Sequence, residues 1–523
     1  MKLLLATLLS FANIAPAAPT SLLVRVDLAA GLGSAAVSAA GHDVLYESDG
    51  WCLVRTGDTA GRLESLDCQV LDQNPELKHY VFVFVEPGFD RAQLAQFGNV
   101  LTADRLGVLL RTTPDGVQGL NRLPVELYAI PLRPQRREQA LAARPRVPAA
   151  RSVSDSLIWT LVNRVSEDSL ESYLCSLIGF TTRYATTYSC RLACDWMRGR
   201  LAAYRCDSTY LDTFNSSYAP NVVGVRVGRT DPQHIFVVSG HIDNTSEYPD
   251  SLAPGSDDNA SGIGFVLEVA RAFAEVDLAS TVWFVGFSAE EQGLVGSDDF
   301  VYTCLQRGDS IVTAINSDMI SYGRDDSLTV VHSSTLPATE SLALFFLAQA
   351  DTFTSLQAKD TVIDWAVSDH YSFWKYGYLA IRGRYHDRTP MYHTIFDTIG
   401  PLHYANCGTN NLPLYTEMVK ATVATLAKWA GATQNTGTAE PGQVRAPAET
   451  RIMPTVGRAP VLVRLSSAAA ELSVYSAAGR LVRRLGRGES LTWDGRDRAG
   501  AAVGPGVYYF CAASAPARFT LVE

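Results

Sequence analysis

Between Val153 and about Thr433, short apolar runs alternate with stretches of helical periodicity. Ile235-Phe236-Val237-Val238 and the run from Thr281 to Phe287 are β-branched and aromatic with no polar interruption, the pattern of strands buried on both faces. Between them Ile263, Val266, Leu267, Ala270 and Phe273 recur at helical spacing. Further upstream Ser166 stands before an acidic turn and the apolar positions Leu170, Tyr173, Leu174 and Leu177, which predicts a capped helix. Strand, helix, strand in this order predicts a mixed α/β domain whose largely parallel sheet is covered by helices on both faces.

The flanks have other patterns. Leu22 to Val26 and Tyr80 to Val85 are strand candidates bounded by turn formers, so residues 18–131 read as a separate αβ or mostly β module. Residues 132–151 are rich in Arg, Ala and Pro, with little to bury, and read as an exposed, protease-sensitive linker. The module before it would then be a removable prodomain, unless it docks over the site and supplies pocket walls. After the domain at 152–433 comes a second polar linker, 434–460. The tail 461–523, with Leu472 to Tyr475 and Val507 to Phe510 separated by glycine turns, predicts a small β-sandwich.

Composition narrows the function classes. With 47% hydrophobic and 19% charged residues, the 523-residue chain can build a sizeable core, and its formal charge of -10 argues against non-specific nucleic-acid binding. Met1-Lys2 followed by an apolar run and Ala15-Pro16-Ala17 has the form of a secretory signal cleaved near Ala17. No later stretch has the ~18–20 apolar residues of a membrane helix, so the expectation is a secreted or cell-surface protein of bacterial type. Export permits disulfides. Cys52 and Cys68 are the first candidate pair, and Cys175, Cys190, Cys194 and Cys206 could supply more.

The candidate chemistry lies where strand patterns give way to loops. Gly240-His241-Ile242-Asp243 ends one strand, and Pro254 to Gly262 leads into the predicted helix. Glu290-Glu291-Gln292-Gly293 and Asn316-Ser317-Asp318-Met319 follow two others, and Tyr392-His393-Thr394 lies near the domain's end. Ligands bind beyond the carboxyl ends of strands in open α/β sheets, so these clusters can converge. Two imidazoles with several carboxylates are what a pair of zinc ions requires, one carboxylate bridging both. The adjacent acids Asp257-Asp258 and Glu290-Glu291 would be costly to bury without a cation.

In that order the motifs G-H-I-D, P-G-S-D-D-N-A-S-G, S-A-E-E-Q-G-L-V-G-S, N-S-D-M-I, S-D-H and Y-H-T-I-F-D-T resemble those of the co-catalytic zinc aminopeptidases, the family of aminopeptidase Y, the secreted bacterial leucine aminopeptidases and glutamate carboxypeptidase. The resemblance spans about Val153 to Thr433 and implies the zinc-exopeptidase fold with two zinc ions. It implies that His241 and Asp318 hold one ion, Glu291 and His393 the other, and that Asp258 bridges them. Glu290 would be the general base for a water shared by the metals, and Tyr392 would stabilise the oxyanion. Asp243 would orient His241, and Ser368 would orient His393. Asp257 reads as a structural neighbour of the bridge and Asp397 as a cap on a turn or helix, His370 and His386 as hydrogen-bonded structural histidines, and Met319 and Trp365 as pocket or core residues.

The function implied is release of N-terminal residues from peptides or proteins. The alternatives are a carboxypeptidase or dipeptidase of the same family, a glutaminyl cyclase, and a non-catalytic binding protein. The tail, through Val474-Tyr475-Ser476, Gly479-Arg480-Leu481-Val482, Trp493-Asp494-Gly495 and Gly506-Val507-Tyr508, resembles the immunoglobulin-like domain of flagellar hook-capping proteins and secretion-sorting tails. That implies a contact with the cell surface or the secretion machinery.

Overall fold

The computed structural model describes residues 21–28, 34–48, 50–57, 67–135, 148–323, 327–386, 389–399 and 410–434. It also describes 450–452, 456–457, 459–465, 471–476, 481–488, 490–511 and 517–521 of the C-terminal part. The signal-like segment falls outside these residues, as does most of the basic stretch after Gln135.

The N-terminal part is two antiparallel four-stranded sheets. β1 (Ser21–Asp27), β2 (Asp43–Ser48), β3 (Trp51–Gly57) and β4 (Cys68–Gln73) pair in the order β2-β3-β1-β4. β5 (His79–Phe84), β6 (Gly98–Ala103), β7 (Gly107–Thr112) and β8 (Glu126–Ala129) pair in the order β6-β7-β5-β8. This register corrects the expected disulfide. Cys52 on β3 and Cys68 on β4 both stand opposite Val26 of β1, one on either side of it. Two inter-strand spacings, about 10 Å, exceed the ~7 Å limit on Cα separation in a disulfide. Cys175, Cys190, Cys194 and Cys206 are likewise free thiols; Cys194 Sγ instead donates to the Pro220 carbonyl.

The central sheet has eight strands. They are β9 (Ser208–Asp212), β10 (Asn221–Arg226), β11 (Asp231–His241), then β13 (Ser280–Phe287), β14 (Ile311–Ser317), β15 (Ser327–His332), β16 (Gln357–Val362) and β17 (Ala380–Arg384). The short β12 (Val276–Leu278) pairs apart from them with β18 (Ala432–Gln434). The order is β16-β15-β17-β14-β11-β13-β10-β9. The middle four strands are parallel, while β10 and β15 join them antiparallel. This is the expected mixed, largely parallel sheet, with its antiparallel strands confined to the flanks.

Side-chain alternation sends neighbouring residues of each central strand into different cores. Phe236, Val238, Val282 and Phe284 join a cluster with the helices Ser261–Ala272 and Leu412–Ala430. Val237, Val285 and Phe287 face the other way, toward Tyr371, Phe373 and Trp374. That second core also takes Tyr46, Trp51, Phe82, Phe84 and Tyr128 from the N-terminal sheets. Tyr128 and Tyr371 meet edge to face with ring centroids 5.4 Å apart. The N-terminal sheets and the central sheet therefore share one apolar interior.

Both ends of the basic stretch are tied down. Arg133 reaches Asp299 at 2.7 Å and lies over the Tyr302 ring, and Arg151 pairs with Asp231 and donates to Ser280 Oγ. The C-terminal part is the expected β-sandwich, a three-stranded and a five-stranded sheet closing over Val463, Leu472, Val474, Trp493 and Phe510. Among the described residues no helix is long and apolar enough to cross a membrane.

Candidate metal centre

His241 is the last residue of β11, and close packing fixes where that strand ends. A Cβ on Gly240 would meet the Gly262 carbonyl carbon at 2.8 Å, and a Cβ on Gly262 would meet the Ser317 carbonyl oxygen at 2.4 Å. Only glycines let the strand, the helix Ser261–Ala272 and the end of β14 approach this closely. Asp258 lies in the turn before that helix, Glu290 and Glu291 follow β13, and Asp318 follows β14. His393 comes from the loop after β17. Ala289, Met319 and His393 have φ of 58°, 59° and 55°. Left-handed backbone at non-glycine residues is strained, and here it sits at the ligand candidate His393, beside the ligand candidate Asp318 and beside the candidate base Glu290.

The five candidate ligands converge and are buried. His241 Nε2 lies 3.3 Å from Asp258 Oδ1 and 3.4 Å from Asp318 Oδ1. His393 Nε2 lies 3.3 Å from Asp258 Oδ2 and 2.9 Å from Glu291 Oε2. Asp258 thus turns one oxygen to each imidazole. Donor atoms of His241, Glu290 and Asp318 lie within 4.8 Å of one another, as do those of His241, Asp258 and Glu291.

The electrostatics fit divalent cations. The pocket gathers the carboxylates of Asp258, Glu290, Glu291 and Asp318 against two imidazoles and the Arg382 guanidinium. Burial pushes the Glu290 carboxyl well above its usual range; His241 opposes the shift, and Glu291 and Asp369 reinforce it. Glu291 is pushed up to about 7 by burial, against the pull of His393. Burial works against a proton on His393, but Glu291 and Asp258 outweigh it and push the imidazole up to about 10. Such values mark a site short of positive charge. Glu291 Oε1 is buried with no hydrogen-bond partner among the described residues, a lone-pair donor set for a cation.

The surrounding residues do more than the motifs imply. Asp243 Oδ1 stands 3.8 Å from His241 Nδ1, whose nearer contact, at 3.2 Å, is the Asp243 carbonyl. A proton on Nδ1 donated to that carbonyl leaves Nε2 free for a metal. The Asp243 carboxylate also accepts from the backbone N–H groups of Glu290 at 3.2 Å and Glu291 at 3.3 Å. Asp257 accepts from Ser321 and Tyr322, and Asp397 from the N–H groups of Asp257 and Asp258, so both acids brace the bridging turn. Ser368 does not touch His393: its Oγ accepts from Asn316 Nδ2 at 2.9 Å, and His393 Nδ1 has no hydrogen-bond partner among the described residues. Tyr392 stacks on the His393 ring with centroids 3.6 Å apart. His386 contacts Ser327 Oγ at 3.2 Å, whereas both ring nitrogens of His370 lack hydrogen-bond partners among the described residues and its ring meets Trp374 edge-on. Met319 lines the metal pocket and Trp365 a second cavity.

Two arginines escaped the sequence reading. Arg382 holds Asp318 Oδ2 at 2.8 Å. Arg183, fully buried, donates to the carbonyls of Leu177, Ile242, Pro254 and Gly255 and so ties the His241 loop to the Asp258 loop. Nothing around either residue in the sequence marks it, because the partners lie in other segments of the chain.

A mixed sheet with paired clusters of buried His, Asp and Glu at the carboxyl ends of its strands defines a metal-dependent hydrolase of the zinc-exopeptidase class. Residues 221–414 match the model of peptidase family M28. A probable leucine aminopeptidase of Trichophyton verrucosum is 28% identical over 262 residues, covering 46% of this chain and 70% of that one. A probable aminopeptidase of Saccharomyces cerevisiae is 25% identical over 288 residues, covering 51% and 75%. LapB from Legionella pneumophila shares the fold, with TM-score 0.52 and 18% identity over 67% of this chain and 99% of that one. Over residues 221–414 the chain is similar to peptidase family M28, and its paired clusters of buried His, Asp and Glu are those of a zinc-dependent exopeptidase.

Proposed function

We propose that the protein is an aminopeptidase with two zinc ions, one on His241 and Asp318, the other on Glu291 and His393, with Asp258 between them. The observation that carries this reading is the split of Asp258, Oδ1 toward His241 and Oδ2 toward His393, each at 3.3 Å. Bound zinc supplies Lewis acidity that makes water a nucleophile near neutral pH and polarises the scissile carbonyl. Glu290 accepts the proton of the attacking water and passes it to the leaving amine. Its carboxylate lies within 4.8 Å of donor atoms of His241 and Asp318, close enough to the attacking water to take that proton. Tyr392, fixed by its stack on His393, directs its hydroxyl to the oxyanion of the tetrahedral intermediate. Asp243 holds the Glu290–Glu291 backbone and His241 in one frame.

The signal-like N-terminus supports export, and the C-terminal sandwich would serve attachment or sorting outside the cell. The decisive experiment incubates free, N-acetylated and C-amidated peptides with the protein, with and without chelator. Cleavage of free and C-amidated peptides, blocked by N-acetylation and by chelator, is expected. Protection by C-amidation instead would make the enzyme a carboxypeptidase.

A further inference from the structure

We infer that Asn121, from the N-terminal part of the chain, is a positioning residue for Glu291, so that the metal centre is complete only with the N-terminal part in place. The inference rests on the two-zinc reading and adds to it a residue outside 221–414, the span that matches the family model.

The loop 290–293 carries the candidate base and a candidate ligand, and its backbone is held from two sides. On one side the N–H groups of Glu290 and Glu291 donate to the Asp243 carboxylate at 3.2 and 3.3 Å. The Glu290 carbonyl accepts from the N–H groups of Gly293 at 2.8 Å and Leu294 at 2.9 Å, which closes the turn. On the other side the carbonyls of Glu291 and Gly293 accept from the N-terminal part. Asn121 Nδ2 donates to the first, and Ala129 N, in β8, donates to the second at 3.1 Å. A Cβ on Gly293, whose φ is 104°, would meet Ala129 N at 2.2 Å, so the two segments touch backbone to backbone.

Asn121 is itself firmly seated. It follows the helix Pro114–Leu120, donates its N–H to the Val117 carbonyl at 3.0 Å and is 1% exposed. A carbonyl can only accept, so the amide must turn Nδ2 toward Glu291. Its Oδ1 then accepts from Tyr184 Oη at 3.0 Å. The backbone carbonyl of Asn121 accepts from Thr245 Oγ1 at 2.9 Å, two residues beyond Asp243. One buried residue thus clasps the loops after β11 and β13.

The consequence falls on Glu291. With its N–H held by Asp243 and its C=O by Asn121, the peptide planes on both sides of it are set. That fixes the direction in which its side chain leaves to bring Oε2 within 2.9 Å of His393 Nε2. Groups that orient a ligand in this way tune the affinity of the metal it holds. Without the Asn121 amide, the Glu291 carbonyl loses its donor in a buried place, and its peptide turns to recover one.

The test titrates zinc into the metal-free full-length protein against a chelating indicator and follows hydrolysis of leucine p-nitroanilide. Asn121→Ala should weaken one of the two zinc affinities by about 10- to 100-fold, the usual cost of removing a group that orients a ligand, and leave the other within a few-fold. At limiting zinc kcat should fall with that affinity, while KM stays within a few-fold. Should Asn121→Ala fail to fold, Tyr184→Phe keeps the amide but removes the hydroxyl that anchors it, and the same affinity should weaken several-fold. Both affinities weakened together, or neither changed, overturns the inference, since packing alone would loosen the whole chain. A wild-type protein that binds fewer than two zinc ions, or hydrolyses no free N-terminus, overturns the reading beneath it. A wild type with two ions and activity, matched by both variants, overturns this inference alone.

Discussion

Glu290 and Glu291 are neighbours with different surroundings. Glu291 reaches the His393 imidazole at 2.9 Å, while Glu290 groups with His241 and Asp318. Glu290→Gln should keep both metals, measured by elemental analysis, while kcat falls by about 10²–10⁴-fold; His241→Ala should lose metal along with activity. A metal-depleted E290Q protein would show that Glu290 is a ligand instead. The convergence of these residues was legible in the sequence because each sits in a motif: His241, Glu291 and Asp318 at or just past strand ends, Asp258 before a helix and His393 in a loop. Arg183 and Arg382 were not, since their partners are carbonyls and a carboxylate that only the fold brings near. Ser368 shows the opposite error: a motif placed it near the site, but its hydroxyl bonds to Asn316 rather than to His393.

At the level of elements, Asp72 joins the two N-terminal sheets. From β4 it takes hydrogen bonds from Lys78 at 2.5 Å, Tyr80 Oη at 2.9 Å and Arg111 at 3.0 Å, the last two on β5 and β7. Burial alone would raise its pKa, but these bonds and the Gln73 N–H lower it to about 2. A carboxylate whose folded pKa is depressed contributes stability above the unfolded value, and the contribution disappears as pH falls from about 4 toward 2. Asp72→Asn should therefore lower stability at pH 7 by about 1 kcal/mol, since solvent screens its partly exposed partners, and flatten the acid limb of the Tm–pH curve over that window. An acid limb identical to wild type would assign no such role to Asp72. The alternation that makes these strands was readable from Tyr80 to Val85 and from Ile235 to Val238. Their pairing order was not: hydrophobic pattern says which face is buried, not which neighbour lies beside it. The Cys52–Cys68 expectation failed for that reason, because β1 stands between the two.

On the scale of the whole molecule, the shared core bears on how the N-terminal sheets serve the enzyme. A chain starting near Ser152 would expose Phe287, Tyr371 and Trp374 where Phe82, Phe84 and Tyr128 now cover them. Apolar faces of that kind drive association. The truncated protein should aggregate and lose activity, read by light scattering and by peptide hydrolysis. A soluble, active fragment would instead mark residues 18–151 as a removable prodomain.

Arg183 has a consequence for metal exchange. Its guanidinium holds carbonyls on both sides of the ligand set, at 2.8 Å to Ile242 and Pro254 and 2.9 Å to Gly255, and these bonds need no ion. Loops tied in this way keep their spacing through a chelator wash, so zinc, cobalt or manganese can replace one another without the chain refolding. Occupancy then follows supply and intrinsic affinity, in which zinc outranks manganese for a nitrogen–oxygen site. Which metal a preparation contains will reflect the medium it came from, and activities of different preparations compare fairly only after reloading with one defined ion.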